Sequence, residues 1–126
     1  MTSDNIEVRF SSPEALLARR KEHMDECIRW LQSNIDRILT SRAIAIDPRS
    51  LAEKGLGVEF NIEFLESQCI YNMWEINDAI RVINVALAAS GWEVSKPLEV
   101  ERFNHRYNVV GKVTAPSKAM SRGPYR

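Results

Sequence analysis

Val58-Glu59-Phe60-Asn61-Ile62-Glu63-Phe64 can be read with two different periods, and the choice between them sets the architecture. Apolar and polar residues alternate through all seven positions, the pattern of a strand with one buried face. Yet Ile62 also opens a helical series. Ile62, Leu65, Cys69, Met73, Ile76, Ile80, Ile83 and Leu87 follow one another at three- and four-residue steps without a break. Eight positions on the helical period outweigh four on the strand period. The stretch is therefore read as an extended entry over 57–60, followed by a helix from about 61 to 89 that Ser90-Gly91 ends.

A second stripe of similar length lies upstream. Leu17, Met24, Cys27, Ile28, Leu31, Ile35, Ile38 and Leu39 share one helix face. Ser11-Ser12-Pro13-Glu14 is a start signal, because either serine can cap and proline suits the first turn. The spacing predicts a helix from about 13 to 42, about 45 Å long. Asp47-Pro48 marks a short helix over 48–54 ended by Gly55. Two long helices joined by a turn-rich connection predict an antiparallel αα-hairpin.

Phe64, Tyr71, Val82 and Val85 project away from the second stripe, so that helix needs cover on two sides. Strand patterns supply a candidate. Ile6, Val8 and Phe10 alternate with Glu7 and Arg9, residues 98–103 and 107–113 are strand-like, and Asn104-His105-Arg106 forms a tight turn between the latter two. Trp92-Glu93-Val94 opens an extended stretch. The expected fold is α+β, with a long antiparallel αα-hairpin packed against a small antiparallel β-sheet in the order β-α-α-β-β. Residues 1–114 form one domain, and 115–126 read as a flexible tail.

With 126 residues, 44% hydrophobic and 27% charged, the chain can bury a core of its own. Seventeen basic residues balance seventeen acidic ones, which gives no global attraction to nucleic acid or to an anionic bilayer. The distribution is uneven. Residues 43–91 carry three basic and seven acidic groups, a balance of −4, and residues 92–126 carry seven basic and three acidic, +4. That polarity suits internal complementarity as well as binding. Cys27 and Cys69 fall on the stripes and read as small core hydrophobes. No signal peptide and no stretch of apolar residues long enough to span a bilayer is visible, so the expectation is a cytoplasmic protein without membrane contact.

Chemistry is sparse in this sequence. Nucleotide-binding, zinc-protease and hydrolase motifs are absent, and Gly55-Leu56-Gly57 serves better as a helix stop than as a phosphate cradle. His23 and Cys27 are four apart, but the only other histidine is His105, too few for a closed metal site. Glu22, Asp25 and Glu26 read as partners for Arg19, Arg20 and Lys21 on a solvated face. No catalytic residue, cofactor or metal is therefore expected. Trp74 is read as core under the sheet. Trp30 lies off its stripe beside Arg29 and Gln32, and Trp30, Arg29 and Arg37 are the expected partner-binding residues.

A domain of this size has a diameter of about 36 Å, so helices of about 45 Å overhang it. The reading that follows is a non-enzymatic protein–protein interaction module, an accessory or inhibitor protein whose helical surface engages another macromolecule. A homodimer and an unidentified protein partner are the expected associations. The alternative is a nucleic-acid-binding or nucleoprotein-associated protein using the basic C-terminal hairpin and tail, through Arg102, His105, Arg106 and Lys112 with interleaved aromatics.

Overall fold

A computed structural model describes residues 6–120. Its elements run α1 (Pro13–Ala45), α2 (Pro48–Lys54), β1 (Leu56–Leu65), a single 3₁₀ turn (Glu66–Gln68), α3 (Met73–Ala89), β2 (Glu93–Phe103), β3 (Arg106–Ala115) and α4 (Ser117–Met120). The class is α+β, as expected, but the element order and the helix pair differ from the expectation.

The decisive stretch is a strand. All ten residues of β1 pair with β3 in one unbroken antiparallel register, from Leu56 opposite Ala115 to Leu65 opposite Arg106. Ile62 and Leu65 therefore belong to the sheet and Cys69 to the turn after it, and the helical stripe is real only from Met73 onward. Tertiary pairing decided between the two periods: an edge of β3 was available to satisfy the backbone, and Val58 and Phe60 bury completely on the strand period. α3 starts where its own cap dictates. Asn72 is the N-cap, and the Glu75 carboxylate reaches back to accept from the Asn72 backbone amide at 3.0 Å.

Shortening the second helix reverses its direction relative to the first. His23 of α1 meets Glu75 at the start of α3, while Ile35 and Leu39 share a cleft with Ile83 and Leu87 near its end. The two helices thus run the same way, and the expected antiparallel hairpin is replaced by a parallel pair with β1 as the return strand. The physical reason is chain length: ten extended residues carry the chain back by about 33 Å before α3 begins.

The sheet has the order β1-β3-β2, with both outer strands antiparallel to the central one. β1 and β2 are consequently parallel to each other, and α3 is the crossover between them, a split β-α-β arrangement with β3 inserted. Asn104 and His105 turn the β2–β3 hairpin with φ of 49° and 60°, the left-handed values that a two-residue type I′ turn demands. The expected strand at residues 6–10 does not form. These residues carry no strand pairing and stay exposed. Within the segment read as a tail, Ala115 ends β3 and α4 packs against α2; residues 121–126 lie outside the described residues.

The core lies between one sheet face and the two helices. Val58, Phe60, Val109 and Val113 from the sheet, Ile76, Ala79, Ile80, Ile83 and Leu87 from α3, and Cys27, Leu31 and Ile35 from α1 form one buried cluster. The other sheet face alternates outward with Glu59, Asn61 and Glu63 on β1 and with Asn108, Val110 and Lys112 on β3. Gly111 is required where β2 bulges. A Cβ there would lie 2.8 Å from the Leu98 side chain and 3.0 Å from its Cα. No helix among the described residues is long and apolar enough to cross a membrane.

Candidate functional site

The basic hairpin is already matched by acids of the same chain. The Arg102 guanidinium lies 2.9 Å from the Glu66 carboxylate, His105 lies 3.7 Å from the same group, and Arg106 pairs with Glu63. Lys112 stands opposite Glu59 on β1 and Lys96 on β2. The acidic middle and basic end of the sequence are thus set against each other across β1, the following turn and the hairpin. Exposed pairs of this kind contribute little stability, but they lower the net positive potential that a phosphate backbone would meet.

The three residues expected to bind a partner fare differently. Trp30 is half-buried, edge-on to Phe64 with ring centroids 5.2 Å apart and tilted on Tyr71 at 5.3 Å. It anchors an aromatic chain that continues from Phe64 to Tyr107, and so it belongs chiefly to the core wall. Arg29 is exposed on α1. Arg37 donates to Asn34, whose amide nitrogen in turn donates to the Trp30 carbonyl oxygen. Trp74, expected under the sheet, sits in the first turn of α3, is 43% exposed and is covered by the Arg20 guanidinium 4.7 Å from its ring centroid. The later start of α3 explains the difference, since it puts Trp74 in the first turn of that helix, against Arg20 of α1.

One fully buried charge sits beside these rings. Glu75 is 1% exposed, with Oε1 taking hydrogen bonds from the Asn72 backbone and side-chain amides and Oε2 lying 2.5 Å from His23 Nδ1. Burial pushes its carboxyl up, but the Asn72 backbone amide, His23 and the Asn72 side chain outweigh burial and hold it below the ordinary value. The pair clamps α1 to the first turn of α3. Among the described residues the His23 imidazole has no other hydrogen-bond partner, so a nucleophile aligned on it is not seen. The cysteines are not activated either. Burial, with the charges of Glu75 and Cys69, pushes the Cys27 thiol up to about 12, and burial likewise raises Cys69. No cluster of three or more metal-ligating side chains occurs among the described residues.

What remains uncovered is apolar helix. α3 is about 25 Å long and α1 about 50 Å, and α3 begins level with His23. Residues 13–22 therefore project beyond the globule, with Leu17 67% and Leu16 54% exposed. Leu17 is the first position of the stripe that is buried further along at Cys27, Leu31 and Ile35. Leu16 and Leu17 lie one helical turn before Arg20, on its side of α1, and Arg19, Arg20 and Lys21 rim them with positive charge. Further along, a cleft of about 240 Å³ opens between α1 and α3, lined by Ile28, Leu39, Val82 and Ala86 among others. Val82 and Val85, read as needing a second layer, face no such layer and are exposed.

Comparison with protein-family models, with curated proteins and with solved structures finds no match to this chain. Glu75 escaped the sequence reading although Asn72-Met73-Trp74-Glu75 carries a capping-box pattern that would have revealed it. Asn84 also escaped: its side chain bonds both the amide and the carbonyl of Leu98, at 2.9 and 3.2 Å, and only the folded crossover brings them together.

Proposed function

We propose that the chain is a non-enzymatic protein–protein interaction module that binds through the projecting first turns of α1. The observation that carries this is the apolar stripe of α1 outrunning its cover, leaving Leu16 and Leu17 in solvent on a well-capped helix. Ser12 accepts from the Ala15 amide at 3.1 Å, and Pro13 occupies the first turn, so this end is ordered as helix before any partner arrives. A rigid apolar ridge binds at lower entropic cost than a segment that must fold first. The rim of Arg19, Arg20 and Lys21 selects a partner surface that presents apolar side chains flanked by carboxylates. Enzymatic action finds less support: the one buried acid among the described residues, Glu75, is consumed as a cap and clamp, and both thiols are held protonated.

Photo-crosslinking tests the reading. A benzoylphenylalanine at position 17 should give a discrete protein adduct in cells expressing the chain, lost when Leu16 is changed to Asp. The same probe at the exposed polar position 33 should give none. Identical adduct patterns at both positions, or no adduct at position 17, overturns the proposal.

A further inference from the structure

The two edges of the sheet are not alike. β2 is broken as a docking edge: its register slips between Val94 and Lys96 and again between Lys96 and Glu99, and Pro97 lacks an amide hydrogen. Asn84 also ties off the Leu98 backbone within the bulge. β1 has none of these devices. It runs for ten residues without bulge or proline, packs on β3 along one side and on α1 over one face, and no other element of the described residues lies against it beyond marginal contact. Every second residue of such a strand turns both its N–H and its C=O outward.

Residues 6–10 are the complement of that edge. Ile6, Val8 and Phe10 alternate with Glu7 and Arg9, the pattern of a strand with one apolar face, yet all three apolar side chains are exposed and Phe10 is 90% so. Within one chain the segment cannot lie antiparallel along β1 with Arg9 at mid-strand. Phe64, at the near end of β1, stacks on Trp30, which is about 26 Å along α1 from Pro13. Arg9 can retreat only about 13 Å from Pro13 when fully extended. A second copy of the chain has no such restriction.

We infer that residues 6–10 of one chain add as a fourth strand to the free β1 edge of a second copy, and that the exchange is reciprocal in a two-fold dimer. The antiparallel register that sets Arg9 opposite Glu59 and Glu7 opposite Asn61 pairs unlike charges on the outer face and sets no carboxylate against another. The same register places Ile6, Val8 and Phe10 beside Ile62, Phe60 and Val58, so the apolar face of the arm extends the core face of the sheet. This contact does not use Leu16 or Leu17 and is independent of the α1 ridge.

Light scattering on the full chain, over a concentration series, decides it. The wild type should reach dimer mass, and Glu7→Pro, which removes the amide that would donate to the Asn61 carbonyl from a segment outside the folded core, should weaken dimerisation roughly tenfold or more with an unchanged melting temperature. Arg9→Cys combined with Glu59→Cys should yield, on mild oxidation, a covalent dimer whose 9–59 linkage mass spectrometry locates between chains. Arg9→Cys with Glu99→Cys on the β2 edge should not give a 9–99 link. Monomer mass at every concentration, or a dimer that Glu7→Pro leaves intact, overturns the inference. A dimer lost in Leu17→Asp but kept in Glu7→Pro also overturns it and places self-association on the α1 ridge.

Discussion

The two ends of α1 belong to one helix and meet opposite fates. From Met24 to Leu39 the apolar positions close over α3 and the sheet, with Cys27 and Leu31 fully buried; before His23 the stripe continues through Leu17 into solvent. Periodicity says that a helix face is apolar, and it is silent on what lies opposite. The cover ends where α3 begins, and α3 begins at Asn72 because that residue and Glu75 cap it. One capping pair thus divides α1 into a core half and a projecting half.

Substitutions that treat the two halves alike should expose the difference. Leu31→Ala should cost about 3 kcal/mol, since it opens a cavity in a fully packed site, whereas Leu17→Ala should stay within about 0.5 kcal/mol. Denaturant unfolding of both variants measures it; equal losses would show that residues 13–22 are core after all. At the boundary, Glu75→Ala should cost about 2 kcal/mol, because it leaves the Asn72 amide and His23 without their acceptor.

The same clamp gives the division a pH dependence. The Glu75 carboxyl is held below its ordinary value of 4.5 in the fold, so its contribution is full above that pH and fades as pH falls through the lower native value. The stability gap between wild type and Glu75→Gln should therefore narrow below pH 4.5, read from urea midpoints across an acid series. A gap that widened in acid would reverse the assigned direction. The smallest effect belongs to Arg20, which covers Trp74 just at the boundary: Arg20→Ala should cost about 0.5 kcal/mol and raise quenching of Trp74 fluorescence by acrylamide.

Local signals made much of this legible in advance. Ser12-Pro13 and Asp47-Pro48 start α1 and α2 as read, the stripe defines the buried face of α1, and the hairpin at Asn104-His105 closes where turn chemistry put it. The internal charge balance, too, was open in the sequence, and the Glu66–Arg102 and Glu63–Arg106 pairs realise it. The ridge at Leu17 was foreshadowed by helix length alone. Its boundary at His23 was not, because that required knowing where a different helix starts.

The sequence by itself determined which segments are amphipathic, where several of them are capped, and that the opposed charges could meet, since all these follow from contacts within a few residues or from simple composition. Only the tertiary structure decided that residues 56–65 pair as a strand, that α1 and α3 run parallel, and that Trp30 packs inward while Trp74 faces out. A seven-residue stretch compatible with both periods is settled by the partner that satisfies its backbone and buries its side chains, and that partner, β3, lies some fifty residues away in the chain.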